Sequence, residues 1–366
     1  MVKNIEKLAI LHFSDKWNYC EIKLIKKNTI LLLTVSMLMM ATFVNGQDLH
    51  FSQFFNSPLT INPANTGFIP DADYRLGASY RSQYSSILAA PYKTISIYGD
   101  AQLFRNQIEN GWLGLGGFIL NDVAGSGGLT STKIYGSLAY HQMLGVSSLL
   151  TAGFNLGWAN KRIDQTKLKF PDQFDGKFFD GNTPTSVVLQ NNNISYFDMQ
   201  VGLNYAYFPT ENVYINAGYS IHHVNKPQET FFSENTDSTR IAMRHIGFVN
   251  AILKVNDRVI INPNAYYTNQ AKASEMVFGL NANYNLSGTG GDTQLLAGLY
   301  YRAGDAVVPM VGFQLKNVRF TFSYDATTSS LRNFNNLQGA TEFNIMKKGY
   351  YAEFSGDTRQ VLCPKF

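Results

Sequence analysis

The chain has 366 residues, of which 15% are charged and 14% aromatic, and its formal net charge is +4. A soluble domain usually carries about 25% charged residues, so a chain with 21 Tyr and 26 Phe offers a surface poor in charge and rich in rings. A mean hydropathy of -0.13 argues against a bundle of spanning helices, each of which needs an apolar run of about 20 residues. It leaves a membrane β-barrel, whose inward residues lower the average, or a secreted β-sandwich.

Much of the positive excess precedes Asn28, where Lys3, Lys7, Lys16, Lys23, Lys26 and Lys27 outnumber Glu6, Asp15 and Glu21. With no basic stripe or RNA-binding motif beyond it, nucleic acid is not expected as a partner. Thr29 to Val44 is the one long apolar run (TILLLTVSMLMMATFV), led by lysines and followed by Asn45, Gly46 and Gln47. Basic, apolar, then small residues is the order of an export signal. Cleavage is expected after Gly46, making residues 1–46 a signal peptide with an over-long leading extension; an uncleaved anchor is the alternative. Cys20 would be lost on cleavage and Cys363 kept, so no internal disulfide is expected, and no Cys/His cluster has zinc spacing. Neither metal nor cofactor is expected.

Gln47 to Pro70 does not alternate and is broken by Pro58, Pro63 and Pro70. It is too polar to face lipid, so residues 47–72 are expected to line a barrel mouth or fold into the lumen. From Asp73 onward strict alternation recurs. Tyr74, Leu76, Ala78 and Tyr80 alternate with Arg75, Gly77, Ser79 and Arg81; Ile95, Ile97, Ala101 and Leu103 with Thr94, Ser96, Asp100 and Gln102. Val213, Ile215, Ala217, Tyr219 and Ile221 alternate with Asn216, Gly218 and Ser220. The same holds from Met276 to Leu286 and from Val318 to Asp325.

Period 2 sends successive side chains to opposite faces of a sheet. The segments run about 10–13 residues, the reach needed to cross a bilayer at a tilt, whereas sandwich strands are commonly about 5–6. About fourteen segments are expected, beginning near Asp73, Tyr92, Gly111, Thr130, Ser148, Ser195, Asn212, Arg240, Val259, Glu275, Thr293, Ala306, Val318 and Leu337. Connections after even segments are short and the longest follow odd ones, as in outer-membrane barrels with periplasmic termini. Pro263 and Pro309 fall inside segments, where each is expected to mark a bulge or a misplaced boundary. Arg240 to Lys254 alternates badly. The tail 347–366 is expected to stay periplasmic.

The start of the mature chain, Asp48 through Gly67, carries His50-Phe51-Ser52-Gln53-Phe54 and Asn62-Pro63-Ala64 before Gly67. It resembles the opening of the PorP/SprF family of type IX secretion system membrane proteins. Tyr80-Arg81-Ser82-Gln83-Tyr84 resembles that family's Y-R-x-Q-W, with Tyr84 in place of Trp. Leu113 to Phe118 with Asp122, Ala124-Gly125 and Gly128, Ala139-Tyr140-His141, and Leu168 to Phe174 resemble further family segments. So do Gly218-Tyr219-Ser220 with His222-His223 and Pro227, and the ending Cys363-Pro364-Lys365-Phe366. The ordered set spans essentially all of the mature chain. The fold implied is all-β: a transmembrane antiparallel β-barrel of about fourteen strands over residues 73–346, of the FadL-like outer-membrane type. The resemblance also implies a Bacteroidetes source, protein secretion, gliding motility, and partners among other type IX components and cargo or adhesin C-terminal domains, within outer-membrane lipid. On this basis the candidate partner or plug residues are His50, Phe51, Ser52, Gln53, Phe54, Asn62, Pro63, Gly67, Arg81, Gln83, His141, Cys363, Pro364 and Phe366.

Gly111 to Gly117 lacks the G-x-G-x-x-G spacing of a nucleotide loop. His222 and His223 are adjacent and so expected on opposite strand faces, which disfavours a shared metal. His141 has no nucleophile elbow or zinc motif beside it. Asp172, Asp175 and Asp180 do not match an EF-hand. No enzyme is expected. The function expected is a non-catalytic outer-membrane secretion component; the alternative is a diffusion or uptake channel for small or hydrophobic molecules.

Overall fold

The computed structural model describes residues 51–351 apart from 106, 126–127, 182, 188, 233–238 and 288–292. The expected signal peptide, His50 and the motif Cys363, Pro364 and Phe366 lie outside the described residues.

Fourteen antiparallel strands form one closed barrel. They are β1 (Tyr74–Gln83), β2 (Tyr92–Leu103), β3 (Gly111–Ala124), β4 (Leu129–Met143), β5 (Ser148–Arg162), β6 (Asn193–Thr210) and β7 (Val213–His222). The second half is β8 (Arg244–Lys254), β9 (Val259–Gln270), β10 (Ala273–Asn285), β11 (Thr293–Arg302), β12 (Ala306–Leu315), β13 (Val318–Thr327) and β14 (Gln338–Gly349). Each strand pairs with its chain neighbours, and β1 closes on β14 from Tyr74 opposite Gly349 to Gln83 opposite Ala340. Closure leaves no free edge, as a sheet surrounded by hydrocarbon requires.

Burial is inverted relative to a soluble protein. On β10, Met276, Phe278, Leu280 and Tyr284 are exposed, while Asn281 and Asn285 are buried. On β13, Phe320 and Phe322 are exposed, while Thr321, Ser323 and Asp325 are buried. Apolar side chains facing out and polar ones facing in are the pattern of a barrel set in lipid. No described helix is long and apolar enough to cross a membrane.

The expected segment starts differ from the observed strand starts by at most 4 residues, the largest gap being Arg240 against Arg244. Arg240 instead forms an isolated bridge with Gln228. The bulges expected at Pro263 and Pro309 are absent, because both prolines sit in register. Pro263 lies opposite Leu280 on β10 while the ladder to β8 skips it, and Asn262 donates its amide to Ala251 O there at 2.7 Å. Pro309 lies opposite Leu299 on β11 while the ladder to β13 skips it. A proline lacks one donor, so it is tolerated where one side of the ladder makes no demand on it. The register shifts fall elsewhere, between Tyr207 and Thr210, flanking Pro209, and between Asp325 and Ala326.

Candidate functional site: the inner segment and its luminal contacts

Before β1 the described residues form three short 3-10 turns, Phe54–Asn56, Pro58–Thr60 and Pro63–Asn65. Prolines start the second and third, where the locked φ suits a first turn and the missing N–H is not needed. Almost every residue from Phe51 to Gly67 is buried, and its partners are inward-facing residues from strands all around the barrel.

Ser52 and Gln53 are held by the β13–β14–β1 wall. Glu342 accepts the backbone N–H of Ser52 at 2.9 Å and of Gln53 at 3.1 Å. The Ser52 hydroxyl donates to Asp325 at 2.9 Å and accepts from Arg81 at 2.6 Å and Arg302 at 3.1 Å. Arg81 also pairs with Asp325 at 2.8 Å and Glu342 at 3.2 Å, and Arg302 with Asp325 at 2.7 Å. Two guanidiniums and two carboxylates thus interlock around a peptide segment whose donors they satisfy, and Arg302 also pairs with Asp305 at 2.7 Å. Buried charge requires that pairing. Gln53 completes the contact by donating to Ser323 at 2.8 Å.

Phe54 and Phe55 turn the other way, toward β9–β12. Phe54 stacks on Tyr266 at 5.1 Å and Phe55 on Tyr300 at 5.6 Å. Burying such a ring is worth several kcal/mol, since Phe-to-Ala changes in cores cost about 3–5 kcal/mol.

Asn62 accepts the backbone N–H of Ala64 at 2.9 Å, capping the third turn, and donates to Leu203 O on β6 at 2.8 Å. Here the backbone of the segment touches the wall. A Cβ on Gly202 would lie 1.9 Å from Asn62 Oδ1, one on Gly153 2.3 Å from the carbonyl carbon of Pro63, and one on Gly114 2.0 Å from Thr66 O. Strand glycines on β3, β5 and β6 therefore make the room through which residues 62–66 pass.

Gly67 has φ +66° and donates its N–H to Asp100 at 2.8 Å. Asp100 pairs with Arg75 at 2.7 Å. Beside it, His141 Nε2 meets Thr66 O at 2.8 Å and Nδ1 meets the Thr151 hydroxyl at 2.9 Å. A carbonyl can only accept, so Nε2 carries the proton and Nδ1 accepts from Thr151. The His141 ring stacks on Trp112 at 4.7 Å, and Trp112 donates to Gly67 O at 3.0 Å. A histidine committed at both nitrogens is a structural post rather than a base. Asp71, just before β1, is held below its ordinary carboxyl range. Burial alone would raise it, but the Lys348 ammonium at 2.6 Å more than offsets that.

The structure therefore brings Phe51, Ser52, Gln53, Phe54, Asn62, Pro63, Gly67, Arg81 and His141 into one luminal assembly. Gln83 is not part of it: it ends β1 opposite Tyr92 and Ala340, half-buried. Sequence reasoning missed Glu342, Asp325 and Arg302. Their only signal is that they occupy polar positions of otherwise apolar-alternating strands. His222 and His223 do not face opposite ways. Strand β7 ends at His222, His223 takes φ +58°, and both rings are buried, with His223 against Asp198 at 2.9 Å. Asp172 and Asp175 in the long β5–β6 connection accept local donors, Asp172 from Ser186 N at 2.6 Å and Asp175 from Phe178 N at 2.6 Å. Among the described residues no cluster of three His, Cys, Asp or Glu is placed to hold a metal.

A closed barrel with an apolar outer belt and a lumen threaded by its own N-terminal segment defines an outer-membrane-type β-barrel. The family description type IX secretion system membrane protein PorP/SprF matches residues 43–346. The chain belongs to that family. Among solved structures it is similar to a deletion mutant of the TodX monoaromatic hydrocarbon channel, at TM-score 0.50 and 12% identity over 81% of this chain and 94% of that one. It is also similar to the Ralstonia pickettii toluene transporter TbuX, at 0.47 and 10% over 80% and 94%. A Pseudomonas aeruginosa FadL homologue gives 0.47 and 9% over 78% and 92%. Likeness at such identity describes the fold alone. No curated protein matches the sequence.

Proposed function

We propose that this barrel works in the outer membrane as a non-catalytic component of type IX secretion, required for export or surface attachment of cargo proteins such as gliding adhesins. The chain is exported with a signal cleaved after Gly46. Its termini and short turns face the periplasm, and the long connections after β5, β7 and β13 face outward, where cargo C-terminal domains and other secretion components dock. The inner segment serves as a plug. The observation that carries this reading, beside family membership, is the attachment of residues 52–67 to walls on different sides of the lumen. Ser52 is fixed to β13–β14, Asn62 to β6 and Gly67 to β2. A segment held at so many points fills the path that a diffusion channel would keep open.

The test is a deletion strain carrying either an empty vector or the wild-type chain. Loss of secreted or surface-attached cargo with unchanged uptake of small solutes supports the proposal. Normal cargo export with altered permeability overturns it and favours the channel alternative.

A further inference from the structure

The inner segment leaves a cavity of about 230 Å³ between itself and the β7–β14 wall, separate from the proposed external docking loops. It lies toward the end that carries the short turns, bounded there by Asp71, Lys348 and Arg319. Its walls are of two kinds. Phe55, Phe248, Leu296 and Met310 form an apolar side, and Asn250 and Asn283 contribute to a polar one. Small-molecule sites combine such a mostly apolar lining with a few convergent polar groups.

The charges at its mouth do not balance. Arg75 is neutralised by Asp100 at 2.7 Å and Lys348 by Asp71 at 2.6 Å. The half-buried Arg319 bonds only the neutral Gln314, through Nε at 3.0 Å and Nη2 at 2.8 Å. Among the described residues no carboxylate lies within ion-pairing distance of it. The planar guanidinium keeps further donors for an anion, and it stands at the edge of an apolar pocket.

We infer that this cavity binds a small anionic amphiphile, with the acidic head on Arg319 and the apolar part against Leu296, Met310, Phe55 and Phe248. The volume limits the ligand to a short chain or a single ring. A neutral analogue lacks the charge-assisted bond, and a cationic one meets Arg319, Arg75 and Lys348.

Calorimetric titration of the full-length barrel in a maltoside detergent tests this with octanoate, octanol and octyltrimethylammonium. Octanoate is expected to bind saturably at one site, octanol about tenfold more weakly or worse, and the cation not at all. R319Q should weaken octanoate binding about tenfold while leaving octanol unchanged, and R319K should restore part of it. L296W, which fills the apolar end and leaves the charge, should abolish binding of both. Each variant is first checked for the heat-modifiable electrophoretic shift of a folded barrel. Equal binding of octanoate and octanol, octanoate binding unchanged in folded R319Q, or no saturable binding to the folded wild type would each overturn the inference. None of these outcomes depends on the secretion role.

Discussion

Glu342 does more than neutralise Arg81, because its two oxygens receive the consecutive N–H groups of Ser52 and Gln53. Those amides lie just before the first 3-10 turn, Phe54–Asn56, so the carboxylate takes the place of a ladder. Removing its charge leaves Arg81 with Asp325 alone and one backbone donor poorly served. Hydrogen bonds to a charged group contribute about 1.5–3 kcal/mol, so E342Q should raise amide hydrogen exchange at Ser52 and Gln53 by one to two orders of magnitude, about 1.5–3 kcal/mol. Exchange in the strands should be unaffected. Protection at Ser52 unchanged by the substitution would show that the carboxylate is not the anchor. Gly153 makes the steric counterpart. G153A places a methyl against the Pro63 backbone, where the neighbour is not a movable side-chain end. The expected cost is about 1–3 kcal/mol, read as a lower thermal midpoint. G247A on β8, whose added Cβ would meet nothing within 4 Å, should leave the midpoint unchanged.

At the scale of elements, the strands were legible because two rules coincide. Period-2 alternation marks a face, and only a long strand crosses a bilayer. Tyr92, Gly111, Ser148, Val259, Thr293, Ala306 and Val318 begin both the alternating segments and the observed strands. Elements whose form depends on a distant partner were not legible. Nothing local to Ser52 announces Glu342, 290 residues away, and nothing in the alternation announces that β7 ends at His222 and that His223 takes a positive φ. Pro263 and Pro309 misled because local sequence cannot say which neighbouring ladder will skip a residue. The connection 163–192 shows a further tertiary dependence, since Asp172 ties its near half to Thr185 and Ser186. The backbone bond from Ser186 leads the effects that hold the Asp172 carboxyl below its ordinary value. A carboxyl lowered in the folded form stabilises the loop fully above the ordinary carboxylate range. That contribution fades as pH falls through the lowered folded value. Protease cleavage within 163–192 should therefore be flat from neutral pH down to the ordinary carboxylate range and rise below it. D172N should be cleaved faster at neutral pH and show a smaller rise on acidification than the wild type, the remainder coming from Asp164 and Asp175, whose carboxyls are lowered by local hydrogen bonds of the same kind. Equal cleavage of D172N and wild type at neutral pH would remove Asp172 as the tie.

For the whole molecule, the inverted burial pattern sets what each face tolerates. Leu280 stands near the middle of β10, 52% exposed, with Phe278 and Ala282 on the same outward side. In water such exposure would cost the folded state; in hydrocarbon it costs nothing, while a charge there does. Arg or Lys at the midplane of a barrel's lipid face destabilises by about 2–4 kcal/mol. Gln294 lies on the opposite face of the neighbouring strand β11, buried at 6% and lining the internal cavity. A guanidinium placed there meets asparagine side chains and the cavity's polar wall instead of acyl chains. L280R should thus lower the denaturant midpoint for refolding into lipid vesicles and shrink the heat-resistant band on electrophoresis. Q294R should change either measurement by much less. The comparison separates the two architectures that composition alone left open. A soluble sandwich would accept a charge on its exposed face at Leu280 and resist one on its buried face at Gln294. The order of the two midpoints therefore reports which side of the sheet meets lipid.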